Sequence, residues 1–162
     1  MKACVVFLAI SAAAVPLATV HAQTAEAPMT AANGLIVQPS AFGPKETMDR
    51  LAAAVTSAGM TVMARIDHAA AAETVGLALR PTEVLVFGNP KAGTPLMQAV
   101  PTLAIDLPLK ALVWQDDAGK TWLAWNDPAW IKNRHGGTAA MDGTLAAMSA
   151  ALATAAGRAT TP

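Results

Sequence analysis

Leu109-Lys110-Ala111-Leu112-Val113-Trp114-Gln115 and Lys120-Thr121-Trp122-Leu123-Ala124-Trp125-Asn126 flank the tetrapeptide Asp116-Asp117-Ala118-Gly119. Two alternating apolar runs joined by an Asp/Gly turn predict a β-hairpin, and a hairpin makes the sheet antiparallel at this point. Successive side chains of a strand point to opposite faces, so Trp122 and Trp125 cannot share one core. One face is expected to be covered by helices. The other would carry aromatic surface suited to a homodimer contact or a ligand platform.

Upstream, Glu83 to Gly88 is a continuous apolar strand, as expected of a central one. The stretch Phe87 to Met97 then breaks at Asn89-Pro90 and is read as a loop, with Thr94 capping a short helix that starts at Pro95 and closes before Pro101. Earlier still, Gly34 to Gln38 and Met60 to Ile66 are strands around a helix opened by Gly43-Pro44. That helix carries Met48, Leu51, Ala52 and Val55 on one stripe and stops at Gly59. Asp67 caps an Ala-rich helix that exits at Gly76. Downstream, Asp127-Pro128 ends the hairpin, Ala129 to Arg134 is a helical turn, and Met141, Leu145, Met148 and Leu152 recur at helical spacing up to Gly157. This last helix is mostly alanine, so a weak hold on the body is expected. The order is β-α-β-α-β-α-β-β-α: an α+β fold, a mostly antiparallel sheet with helices packed on one face.

The ends read differently. Met1-Lys2, the apolar run Ala3 to Ala14 and the small residues of Val20-His21-Ala22 form a signal peptide over residues 1–22, too short and too interrupted at Pro16 for a membrane span. The expected location is periplasmic or secreted, with no membrane span after processing. Residues 23–33 are read as a disordered leader, 34–157 as a single domain and 158–162 as a frayed tail. Of 162 residues, 140 remain after cleavage, enough for one domain with a core. The one cysteine, Cys4, leaves with the signal peptide, which removes disulfide frameworks and thiolate chemistry. With Lys2 gone, 10 basic residues face 11 acidic ones, and the basic residues are scattered. No nucleic acid is expected as a partner.

Several blocks resemble one family. They are Gly59-Met60-Thr61-Val62, Ile66-Asp67-His68, Leu79-Arg80-Pro81-Thr82-Glu83, Phe87-Gly88-Asn89-Pro90-Lys91-Ala92-Gly93-Thr94-Pro95-Leu96-Met97, Ile105-Asp106-Leu107-Pro108, Asn126-Asp127-Pro128 and Arg134-His135. Together they are similar to the DUF302 family over about Gly34 to Leu152. The resemblance implies a small TATA-box-binding-protein-like (TT1751-like) α+β domain, often dimeric, and brings no activity, cofactor or catalytic residues. Trp125 stands where the family often has Tyr, and the last helix is poorer in large apolar residues.

The residues that could form a site are His68, Asn89, Lys91, Gly93, Thr94, Met97, Asp106, Asp127 and Arg134. A Gly-containing loop before a helix start could offer free N–H groups to a small anion, with Lys91 adding charge, although the P-loop spacing is absent. Asp106, set among Ile105, Leu107 and Pro108, must find partners or solvent. It either pairs with Arg134, Arg80 or backbone N–H groups, or it is a site carboxylate. His68 and His135 could join Met97 and Asp106 or Asp127 in a late-transition-metal site, with no local ligand spacing to support it. No cofactor is expected.

Three readings of function follow. The first is a non-enzymatic module binding a small ligand or partner. The second is an enzyme with Asp106 and His68 as acid/base groups near Asn89–Met97. The third is a structural partner of an envelope protein. The export reading predicts that the purified mature protein begins at Gln23; N-terminal sequencing that finds the uncleaved Met1 in the envelope fraction would contradict it.

Overall fold

The computed structural model describes residues 28–162. The signal peptide, its cleavage site and the first part of the leader lie outside the described residues.

The hairpin forms as read. β5 (Leu109–Gln115) and β6 (Thr121–Asn126) pair with Trp114 opposite Trp122, and their rings stack with centroids 6.3 Å apart. Asp116 organises the turn: one carboxylate oxygen accepts from the backbone N–H groups of Ala118 and Lys120, the other from the Trp122 indole at 2.7 Å. The indole bond is the chief cause holding this carboxyl below its ordinary pKa, helped by the backbone bonds.

β4 (Thr82–Gly88) joins β5, and β3 (Thr61–Asp67) forms the edge beyond it, with a bulge between Val62 and Ala64. On the other side β6 pairs with β2 (Leu35–Ser40), and β2 with β1 (Met29–Thr30). The sheet order is β1-β2-β6-β5-β4-β3, antiparallel at every pair. α1 (Pro44–Ser57) carries the chain from β2 to β3 past three intervening strands, a split β-α-β unit. α2 (His68–Glu73), α3 (Pro90–Ala99), α4 (Pro128–Arg134) and α5 (Asp142–Thr160) complete the helices, with one-turn 3₁₀ segments at Pro101–Ile105 and Ala139–Met141.

The alternation seen in the sequence sorts the two faces. Leu85, Phe87, Ala111, Val113, Leu123 and Trp125 face α1 and α5 and are buried with Met48, Leu51, Val55 and Leu152. Trp125 keeps its indole N–H buried without an acceptor among the described residues, which costs about 1–3 kcal/mol. Val84, Val86, Leu112, Trp114 and Trp122 alternate onto the opposite face, where each stays half-buried. A second cluster of Leu96, Leu103, Ile131, Met141 and Leu145 ties α3 and α4 to the first half of α5.

Three expectations are corrected. The leader is not wholly disordered: Met29 pairs with Val37, and the Ala31 N–H donates to the Leu35 carbonyl, because the outer edge of β2 offers backbone groups that need partners. Composition carries no trace of that need. The element order also gains this first strand and a full helix α4 where a turn was expected. Nor is the tail frayed from Arg158. α5 continues to Thr160, whose carbonyl accepts from the Ala41 N–H and whose hydroxyl accepts from Gln38 Nε2 at 2.7 Å. The alanines bring α5 close to α1 and are themselves buried at Ala155, Ala156 and Ala159, so small side chains here tighten the packing.

Candidate functional site

The Phe87 to Met97 stretch is less of a loop than its glycines suggest. The α3 helix starts at Pro90, one turn before the expected Thr94–Pro95 start, and Asn89 is its cap, with its side-chain oxygen accepting from the Lys91 N–H at 3.0 Å. The Ala92 and Gly93 N–H groups both donate to the Asn89 carbonyl. Proline at the first helical position lacks an N–H, so the first turn has no free donor left. The anion cradle expected at Gly93 and Thr94 is therefore absent: both lie inside the helix, and Pro95 is accommodated within it.

What this corner does hold is a cavity of about 680 Å³. It opens where β4 ends at Gly88 and α3 begins. α3 contributes Lys91, Thr94 and Met97, the segment after Asp106 contributes Leu107 and Pro108, and α5 contributes a stripe at helical spacing, Gly143, Ala147 and Ala151. Met60, Met63 and Met148 complete a lining that is mostly apolar. The cause is local. A Cβ at Gly143 would meet nothing within 4 Å, and alanine is the largest side chain of that stripe, so along it α5 leaves space that only Met148 and Thr144 border from the same helix. Lys91 is the one charged residue of the lining, and among the described residues it has no ion-pair partner. A second cleft of about 960 Å³ lies between the hairpin turn and the chain's end, but its Gln38, Ser40 and Thr160 side chains are already bonded to one another or to Thr47.

Asp106 does not line the cavity, contrary to the expectation that it faces Asn89–Met97. It is 8 % exposed, accepts two bonds from Arg134 Nη1 at 3.1 and 3.2 Å, and lies 2.6 Å from His135 Nε2. The other ring nitrogen of His135 meets the Thr102 hydroxyl at 3.0 Å. Hydroxyl, imidazole and carboxylate in line resemble a relay for nucleophilic attack. Thr102, His135 and Asp106 line neither of these two cavities. The cluster instead ties the 3₁₀ turn before β5 to the end of α4. Of the partners considered for Asp106, Arg134 is the one found. His135, read as a candidate metal ligand beside Asp106, is found as its hydrogen-bond partner, and Thr102 was missed because its approach depends on how α4 packs.

The acid/base pair of Asp106 and His68 is overturned. Exposed His68 follows Asp67, which pairs with Glu83 at one end of β4, whereas Asp106 precedes Leu109, which pairs with Phe87 at the other. Those two positions of β4 are roughly 13 Å apart along the strand. His68 and His135 therefore do not meet, Met97 belongs to the cavity, and Asp127 is spent capping α4 through the Ala129 N–H. Among the described residues no three His, Cys, Asp or Glu side chains gather as metal ligands.

The model of the family described as "Domain of unknown function DUF302" matches residues 36–155. The chain belongs to the DUF302 family. The uncharacterized conserved DUF302 protein from Bacillus stearothermophilus superposes with a TM-score of 0.70 at 20% identity, covering 78% of this chain and 98% of that one, and so shares the DUF302 fold. Part of the chain is also 50% identical, over 103 residues, to a protein of Brucella suis biovar 1 (strain 1330) named fluoride-specific ion channel FluC 1. The match covers 64% of this chain and 41% of that protein. Its Brucella abortus biovar 1 (strain 9-941) counterpart matches equally over 38% of its length. The chain thus spans about two fifths of these relatives. No described helix of this DUF302 chain is long and apolar enough to cross a membrane.

If Asp106 serves the fold, Asp106→Asn lowers the unfolding free energy by about 1.5–3 kcal/mol through its charge-assisted bonds, read from urea midpoints. A variant as stable as the parent, or more stable, would show instead a carboxylate held against the interest of stability.

Proposed function

We propose that this chain is an exported, non-enzymatic module that binds a small apolar ligand in the cavity between α3, α5 and the end of the sheet. The carrying observation is the cavity itself: about 680 Å³, with a mostly apolar lining and few polar side chains. Ligand sites are commonly concavities of roughly 300–1,000 Å³ built in this way. Methionines such as Met60, Met63, Met97 and Met148 suit such a wall, since an unbranched thioether side chain can repack around different shapes. The polar clusters elsewhere are used up in capping and tying the elements together, which favours binding over catalysis.

A second reading rests on the relatives. Proteins named as fluoride channels contain a segment 50% identical to this chain, and no described helix of this chain could form the membrane part. That supports a module accompanying an envelope channel rather than acting as one.

The ligand reading predicts saturable binding of the neutral dye N-phenyl-1-naphthylamine, with blue-shifted emission, by the purified protein. Ala147→Phe, which fills the cavity, abolishes it and leaves the unfolding free energy within about 0.5 kcal/mol, read from urea midpoints. A parent protein that gives no saturable signal, or a variant that binds as well, contradicts the reading. The channel reading predicts that a FluC-type channel co-expressed with this chain is retained on it from detergent-solubilised membranes; recovery no greater than with an unrelated exported domain counts against it.

A further inference from the structure

Resting on the reading of the cavity as a ligand site, we propose that its ligand is an amphiphile with an apolar body and a single anionic head group held at Lys91. The cavity's lining is mostly apolar and carries one charge. Its apolar wall comes from Met60, Met148, Leu107 and the Ala147 stripe, whereas its charge comes from Lys91 alone. No Asp or Glu lines it, and the acidic residues nearest in sequence to its walls are engaged elsewhere: Asp142, beside Gly143, pairs with Lys132, and Asp106, beside Leu107, pairs with Arg134. Lys91 thus faces the opening uncompensated. Two helix dipoles add to it. Lys91 lies in the first turn of α3, and Gly143 and Thr144 lie in the first turn of the 19-residue α5, so two positive helix ends border one cavity.

The field acts without donating bonds, because the N–H groups at the start of α3 are already taken. That distinction sets the ligand class. A multiply charged phosphate, which needs several converging donors, finds none at α3. A carboxylate or similar monoanion needs only the ammonium group and water, while its chain enters the apolar part. A neutral apolar molecule would fill the same volume and leave Lys91 unused; a cationic amphiphile would be repelled.

Displacement of N-phenyl-1-naphthylamine by decanoate, decanol and decyltrimethylammonium, each below its micellar concentration, tests this. In the parent protein decanoate displaces the dye at about one tenth of the decanol concentration, a difference of about 1.4 kcal/mol, and the cation is weakest. Lys91→Gln brings decanoate level with decanol, each referred to that variant's own dye-binding curve, and Lys91→Glu makes the cation the better competitor. Equal displacement by decanoate and decanol in the parent protein, or an anion preference that survives Lys91→Glu, overturns the head-group assignment and leaves the cavity reading standing. Absence of saturable dye binding in the parent protein overturns both.

Discussion

One constraint organises this molecule: a six-stranded antiparallel sheet whose inner apolar face has to be covered by helices, with α5 as the last to close over it. Burial of apolar surface is the main force holding such layers together, at about 25 cal/mol per Å². Close packing then decides how near the helices can come. Along the second half of α5 the buried residues are Leu152, Ala155, Ala156 and Ala159, so the helix lies tight against α1 and β2 and its last turn is tied by Gln38 and Ala41. Along its first half Leu145, with Met141 just before the helix, belongs to a separate cluster with Leu96 and Ile131. The α5 residues at the cavity are Gly143, Thr144, Ala147, Met148 and Ala151, and Met148 is the one large side chain among them. The residues that make close packing easy in one half leave a space in the other.

The polar residues divide into two groups by the same logic. Asn89, Asp67 and Asp127 each cap a helix that has a proline or an unsatisfied first turn to accommodate. Asp106 joins Arg134 and His135 where the 3₁₀ turn meets α4, and Arg65 bridges Asp49 of α1 and Glu83 of β4 at 2.7 and 2.6 Å. Those carboxylates raise the Arg65 pKa, Glu83 most, and the Lys45 and Arg65 bonds lower that of Asp49. Lys91 is the exception, a charge at a cavity with no partner among the described residues.

Much of this was legible in the residues. Period-two alternation around Asp116–Gly119 exposes the hairpin and the two-faced sheet, and the Met48–Leu51–Val55 stripe with Pro44 and Gly59 at its ends marks α1. The family blocks identify the fold. Other features depend on partners far away in the chain and have no local pattern. Met29–Thr30 is a strand only because β2 has a free edge, and α5 outlasts Gly157 only because Gln38 and Ala41 meet Thr160. At the site, Thr94 reads as the cap and Asn89 as a turn residue; the backbone instead starts the helix at Asn89-Pro90, which satisfies the first turn earlier in the chain. The cavity's far wall, from Gly143 to Ala151, was invisible because its small residues Gly143, Ala147 and Ala151 read as weak packing until the space they leave is located.

The central claim is that this space is kept for a ligand. Native mass spectrometry of the protein purified from its native source, without delipidation or chelators, tests it most directly. The account predicts a fraction of molecules carrying one small organic adduct that ionises as an acid and is lost in Ala147→Phe. Only the bare polypeptide mass, or an adduct undiminished in that variant, would contradict it.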